Sequence, residues 1–460
     1  MNPDLFYAQN PWLRGRPVEE KGLVARRFEI PRLSHGPVPV ALVIGPRRCG
    51  KTTWMYQRIA RTLARHEVDP RRVLLFNLDD VELRRALDRN PDGLLDLVRR
   101  FTGLDLPSDP GPFHLYLDEV QKHPRTIERV KIYHDLWKNR VFFTLSGSSG
   151  LDLLREAGES LAGRVHIARM YPFSMAEILD HRGIPHGPDF LLRDLMQQNV
   201  DMRVLEEAER QMLPFFSEVK TAFERALVFG LMPEAFLAQG GEITWLHDFR
   251  RTYLERDIRS LANVGNLEAF SAVLDSATAS TGGLLDRTRI SRETGVALST
   301  VRKYLSILQE TFVLDLIPPF SRSLRARVTR SPRLYPFDPG LLTLQTGVAD
   351  LGVLERTGLV GRHVETLALA ELRKACATLL PEVRVHHWRT PGGAEVDFIL
   401  EHAGRLLPVE VRAASSPESV RTANLRRFLH DHGIDRGLVL YTGPVAEAGD
   451  ILFLPLWMLR

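Results

Sequence analysis

The sequence predicts an α/β protein organised around a parallel sheet, on three observations. From Val38 onward, short apolar runs alternate with longer amphipathic stretches. A glycine-containing loop joins the first run to the first stretch, and a third run ends in two consecutive acids. Repeated strand-and-helix units of this kind build a parallel sheet covered on both faces. The expected strands are 39–44, 72–78, 113–117 and 140–145, and the first expected helix is 52–66. The preceding residues, with Arg14, Arg16, Arg26 and Arg27, read as an arm or a leading helix.

At 460 residues the chain exceeds what one core usually organises, so several domains are expected. Boundaries are expected at 1–36 for the arm, 37–170 for the α/β core, 171–262 for a mostly helical segment that starts near Pro172, 263–330 for a helix-turn-helix unit and 331–460 for a terminal α/β domain. No apolar run approaches a membrane span and the first residues lack the features of a signal peptide, so the expected location is cytoplasmic, with no membrane partner. Cys49 and Cys376 are far apart in sequence and one sits inside the glycine-containing loop, which fits a reducing compartment better than a disulfide framework. A net charge of +4 does not by itself imply nucleic acid. Only eight of the 61 basic residues are lysines, which makes Lys51 conspicuous.

The loop Gly45, Pro46, Arg47, Arg48, Cys49, Gly50, Lys51, Thr52 and Thr53 has the spacing of a Walker A phosphate cradle. Backbone N–H groups and a helix N-terminus surround phosphates there; Lys51 neutralises the terminal ones and Thr52 ligates magnesium. The run 113–117 followed by Asp118 and Glu119 supplies the complement: Asp118 for the magnesium shell, Glu119 to activate water. ATP and Mg2+ are the expected cofactors. Ser146, at the end of the fourth run, is either a polar sensor of the terminal phosphate or part of a plain turn. Arg164 is either an arginine finger or a surface ion pair. Cys49 is either an oxidisable thiol or a filler of a variable loop position.

Between 283 and 320, two short amphipathic stretches separated by 295–298 have helix-turn-helix character, with Ser299 placed to cap the second. Val301, Leu305, Leu308 and Phe312 share a face, while Arg302 and Lys303 point elsewhere. Five arginines without an acid follow over 321–333, with Arg325 and Arg327 on one side of an extended wing. These basic residues are candidates for DNA phosphates; the alternative is a solvated edge protected by charge. Beyond Ser331 the sequence suggests one helix up to Leu380 and strands over 384–388, 395–400 and 406–412.

Taken in order, the loop 45–53, Leu117-Asp-Glu-Val120, Ser146-Gly-Ser-Ser149, Ser160-Leu-Ala-Gly-Arg164, Tyr171-Pro-Phe-Ser-Met-Ala-Glu177, Tyr253-Leu-Glu-Arg-Asp257, Ser299-Thr-Val-Arg-Lys-Tyr304, Pro332-Arg-Leu-Tyr335, Trp388-Arg-Thr390 and Glu395-Val-Asp-Phe398 resemble the prokaryotic AAA+ ATPases that carry a C-terminal DUF4143 region. The resemblance implies a P-loop AAA+ core with a helical lid, a winged-helix domain and a restriction-endonuclease-like α/β terminus. In that terminus, strand alternation brings Asp397, Glu410 and Arg412 toward one face, with Glu365 added from the preceding helix. This resembles the Asp…Glu-x-Lys site of such nucleases, where carboxylates hold magnesium. Arg412 departs from that pattern, because arginine stays protonated and is no substitute for a compact ammonium; nuclease activity is therefore not the leading expectation.

The leading expectation is an ATP-hydrolysing protein that binds and remodels or translocates DNA as a homo-oligomer, such as a hexameric ring. The alternatives are an ATP-dependent regulatory switch or signalling scaffold that binds protein partners, and an ATP-gated, metal-dependent DNA nuclease.

Overall fold

The structure is a computed structural model that describes all residues except 19–23, 31–37, 66–67, 139, 149–163, 190, 239, 258–264, 324–330, 378–382 and 460, and at 254–257 the backbone alone. The chain forms two compact units, Met1–Met170 and Tyr171–Arg460.

The first unit is built on a five-stranded parallel sheet in the order β2-β3-β4-β1-β5. Its strands are β1 (Val40–Ile44), β2 (Val73–Asn77), β3 (Phe113–Asp118), β4 (Val141–Gly147) and β5 (Val165–Arg169). Every residue of β1 is buried, as a central parallel strand with both faces covered requires. Helix α1 (Pro3–Gln9) leads the unit, α2 (Lys51–Leu63) follows the phosphate loop, and α3 (Val81–Arg89), α4 (Gly93–Thr102) and α5 (Arg125–Leu136) follow later strands. Trp54, Met55 and Ile59 turn the apolar side of α2 into a core shared with Ala41, Val43, Val73, Leu75 and Tyr116. The four expected strands are present. Sequence reading missed β5, an edge strand in which only Ala168 is buried.

The edge at β2 is covered. Asn10 is fully buried; its side-chain N–H donates to the Leu75 carbonyl (2.9 Å) and its Oδ1 accepts from the Leu75 N–H (2.7 Å). Two residues on, the Trp12 indole donates to the Val73 carbonyl (2.8 Å). Side chains thus supply the pairing that a further strand would give.

In the second unit, the helices Met175–His181, Leu191–Met196, Met202–Met212, Phe216–Phe229, Pro233–Leu237 and Glu242–Phe249 form the segment expected as a lid. Polar contacts tie this segment to the terminal part of the chain. The Met175 N–H donates to Glu371 (3.2 Å), Glu371 pairs with Lys374 (2.8 Å), and the Val445 N–H donates to Glu209 (2.9 Å). Three further helices, Leu267–Thr278, Arg287–Thr294 and Leu298–Glu310, precede the antiparallel pair β6 (Leu314–Ile317) and β7 (Arg333–Pro336). The N-cap of Leu298–Glu310 is Ala297, so Ser299 lies inside the helix and is not its cap. The boundary expected at 330/331 separates β6 from β7, two strands that pair with each other.

The single helix expected after Ser331 is instead β7 followed by Gly340–Thr346, Leu351–Arg356 and Val360–Cys376; Gly347 and Gly358, both at positive φ, separate the helices. The terminal sheet is mixed, in the order β12-β13-β11-β10-β9-β8. It comprises β8 (Arg384–Arg389), β9 (Glu395–His402), β10 (Arg405–Val411), β11 (Gly437–Tyr441), β12 (Ala446–Ala448) and β13 (Ile451–Pro455). Leu425 and Phe428 of the helix Ala423–His432 pack with Val396, Ile399, Val439 and Phe453 of this sheet. Among the described residues no helix is long and apolar enough to cross a membrane.

Replacing Asn10 with alanine leaves both backbone groups of Leu75 without that partner. The expected loss is about 1–3 kcal/mol, read as a lower midpoint in chemical denaturation of the whole chain.

Candidate functional site

The loop between β1 and α2 takes its shape from two left-handed residues, Arg48 (φ 62°) and Gly50 (φ 95°). A side chain at Gly45 would put its Cβ 2.2 Å from the Met170 carbonyl, so the close approach of β1 to the residue after β5 requires glycine there. The buried Lys51 ammonium donates to the carbonyls of Gly45 (3.0 Å) and Pro46 (2.7 Å). Cys49 is fully buried, with Sγ 3.9 Å from the Met170 carbonyl, an environment that shields its thiol from oxidants in solution.

The strand order separates β3 from β1 by one strand, β4, whose end therefore stands between the two acids and the loop. Asp118 is buried and fully engaged. Its Oδ2 accepts from the Thr52 hydroxyl (2.7 Å), and its Oδ1 accepts from the Ser146 hydroxyl and from the Glu119 N–H (3.1 Å). Thr52 and Asp118 thus form an adjacent pair of oxygen donors of the kind magnesium takes beside a triphosphate. Ser146, the candidate phosphate sensor, donates its hydroxyl to Asp118.

Glu119 sits at φ 57°, a left-handed conformation uncommon for a non-glycine residue and one that collects at functional sites. Burial pushes its carboxyl above the ordinary value, with Asp118 adding to the shift and Lys51 opposing it. The Gln121 amide donates to Glu119 and to the Ser148 hydroxyl (2.8 Å); that hydroxyl also lies 3.3 Å from Glu119 and accepts from Arg47 Nε at 3.4 Å. Sequence reasoning missed Gln121 and Ser148. The Ser146–Ser149 cluster marked the region but not which hydroxyl faces which carboxylate. Arg164 pairs with Asp135 of α5 at 2.8 Å.

A second cluster lies in the other unit. The β9–β10 register pairs Phe398 with Val409, so Asp397 and Glu410, the next residues on each strand, come together on one face as strand alternation implies, across a tight turn at Ala403 and Gly404, both at positive φ. Asp397 Oδ2 accepts from Arg412 (3.0 Å) and from the Val411 N–H (3.0 Å); Arg412 also donates to Glu410. Arg333, in the last part of the expected basic wing, is buried here, donating to Asp397 (3.2 Å) and to Glu395 (2.7 Å). Glu365 accepts from the Tyr335 hydroxyl at 3.2 Å. The carboxylates do gather, but two guanidiniums stand where a cation would, supplying the positive charge themselves. Among the described residues no group of three His, Cys, Asp or Glu side chains is placed to hold a metal. The arrangement does not fit the magnesium expected at Asp397, Glu410 and Glu365.

Of the DNA candidates, Arg302 and Lys303 are exposed on Leu298–Glu310, while Arg325 and Arg327 lie outside the described residues, as do Ser149 and 160–163.

Burial, with the Asp397 charge alongside, pushes the Glu410 carboxyl up to about 9, with Arg412 opposing the shift. Its Oε2 is buried without a hydrogen-bond partner among the described residues, as suits a protonated group. A folded-state value raised above the unfolded one contributes stability that is full below about 4.5 and is lost as pH rises toward about 9. The Glu410→Gln variant keeps the acceptor for Arg412 and has no proton to lose. It should melt above the parent by at least about 2 °C at pH 8, with the gap closing by pH 5; a gap independent of pH would contradict the assignment.

Comparison with known protein families matches residues 38–179 to an AAA domain, residues 220–351 to DUF8612 and residues 360–459 to DUF4143, the last two being domains of unknown function. Two relatives, the uncharacterized proteins Rv2008c of Mycobacterium tuberculosis and Mb2031c of Mycobacterium bovis, are each 26% identical over 425 residues, covering 92% of this chain and 81% of theirs. Among solved structures, the Orc1 protein of Aeropyrum pernix in complex with DNA matches at 16% identity and a TM-score of 0.26, covering 72% of this chain and 90% of that one. AMPPCP-bound DnaA of Aquifex aeolicus matches at 12% and 0.23, covering 66% and 86%. At these TM-scores the likeness has no bearing on how this chain works. The phosphate loop, the parallel sheet that carries it and the family matches agree: the chain is an AAA-domain protein with a C-terminal DUF4143 domain.

Proposed function

We propose that the chain hydrolyses ATP. The carrying observation is that Asp118 receives one hydroxyl from the helix after the phosphate loop and another from the neighbouring strand. On this reading the loop N–H groups and Lys51 hold the phosphates, while Thr52 and Asp118 hold magnesium, which when bound withdraws charge from them. Glu119 orients a water and accepts its proton, a task helped by a carboxyl whose affinity for protons burial has raised.

The use of that energy is read as remodelling or translocation of DNA by a homo-oligomer in the cytoplasm. The support is the pair Arg302 and Lys303, exposed on the third of three helices that lead into a β-hairpin, a winged-helix order. Assembly would give Arg164 a role in trans once it exchanges Asp135 for a neighbour's phosphate. A second reading, a slow regulatory switch, is favoured by Gln121 and Ser148, which hold the Glu119 carboxylate and would have to release it before each turnover. The nuclease reading has no such support, because Arg333 and Arg412 take up the charge of the carboxylates.

The test is ATPase rate against single-stranded, duplex and branched DNA at two salt concentrations. The motor reading expects stimulation by at least one DNA, weakened by salt and by Arg302→Ala with Lys303→Ala. Glu119→Gln should lower the rate by about 10²–10⁴-fold while ATP still binds. Tight binding and slow turnover indifferent to every DNA would favour the switch.

A further inference from the structure

The segment 24–30 before β1 lies against α2 through its backbone. The side-chain amide of Gln57 accepts from the Arg26 N–H (2.9 Å) and donates to the Val24 carbonyl (3.0 Å), spanning alternate residues as a neighbouring strand would. One turn earlier in α2, the Trp54 indole donates to the Phe28 carbonyl (2.8 Å), and the two rings pack edge to face at 5.1 Å. One turn later Arg61 reaches the Arg26 carbonyl (3.4 Å). Val24 and Ile30 are buried, and so is Arg26, at 3% exposure. Its guanidinium donates to the carbonyl of Cys49, inside the phosphate loop.

We infer that Arg26 is a positioning residue of the phosphate loop, through which docking of this arm sets nucleotide affinity; the inference rests on the loop binding nucleotide as proposed above. The Cys49 carbonyl and the Gly50 N–H belong to one trans peptide group and point in opposite directions. A cation seated on the carbonyl fixes the orientation of that peptide and polarises it, making the N–H on the other side a stronger donor to an anion. The guanidinium also adds a buried positive charge beside a loop that has to receive several negative ones. Because coupling between two binding events is reciprocal, phosphate in the loop holds the arm on α2 as firmly as the arm holds phosphate.

The experiment is calorimetric titration of the whole chain and of its Arg26→Ala, Arg26→Lys and Gln57→Ala variants with ADP and with AMP, which lacks the β-phosphate. Amide exchange of residues 24–30 is followed in the parent with and without ADP. Arg26→Ala should bind ADP about tenfold more weakly, the loss of a hydrogen bond to a charged group, with AMP affinity nearly unchanged. Arg26→Lys should recover part of the loss, and ADP should slow exchange over 24–30. Gln57→Ala leaves Arg26 in place while loosening its backbone, so it carries the test if Arg26→Ala does not fold, and its ADP affinity should fall in the same direction. Unchanged ADP affinity in the variants, an equal loss for AMP and ADP, or exchange over 24–30 indifferent to ADP would overturn the inference alone. A parent chain that binds neither nucleotide would overturn the reading of the loop and the inference with it.

Discussion

A carboxylate buried at the end of a parallel strand has to be satisfied from outside its own strand, because the strand's backbone groups are committed to the ladder. At Asp118 the satisfaction comes from Thr52, on the helix that opens at the phosphate loop, and from Ser146, at the end of the strand between. The order β2-β3-β4-β1-β5 makes this triangle available, since β4 separates the acids of β3 from the loop after β1. Everything at that end of the sheet is arranged around one negative charge. The Glu119 backbone donates to it, the left-handed turn aims the Glu119 side chain elsewhere, and Gln121 and Ser148 receive that side chain.

The second unit treats buried carboxylates differently. Asp397 and Glu410 come together on one hairpin; Arg412, just after β10, bonds both, and Arg333 on β7 reaches Asp397 and Glu395 from the other direction. At Asp397, a buried pair broken by removing one partner leaves an uncompensated charge, which is far more costly than the intact pair is favourable. The cluster thereby fastens β7, and with it the hairpin that follows the three-helix group, to the terminal sheet. It is a joint between two parts of one unit, made of the same residue types that would make a reaction centre if lysine and a cation stood where the arginines are.

How much of this was legible in the sequence follows from the range of each determinant. The phosphate loop is written in consecutive residues because its function uses backbone and a helix start, so residues 45–53, Asp118 and Glu119 were found together. The facing of Asp397 and Glu410 followed from two-residue alternation, and the arginine at 412 already argued against the metal. Long-range partners were not legible. Nothing local in 321–333 distinguishes Arg333, which turns inward, from its neighbours, and Arg26 looked like any basic residue of an irregular arm. Strand β5 escaped because its half-exposed residues break the apolar run that marked the others. In the serine cluster, which hydroxyl faces which carboxylate depends on strand register, and register is a property of pairs of strands.

The covered edge at β2 has a consequence for assembly. A parallel sheet with two free edges can recruit a strand on either side, and a chain that adds to both sides propagates into a fibre. With the Asn10 amide and the Trp12 indole seated on the β2 backbone, addition on that side is foreclosed. Any strand-to-strand association of the first unit then has at most the β5 side to use and cannot propagate. Larger closed assemblies have to be made through helices and loops, surfaces that can be loosened and re-formed far more readily than a ladder of backbone hydrogen bonds.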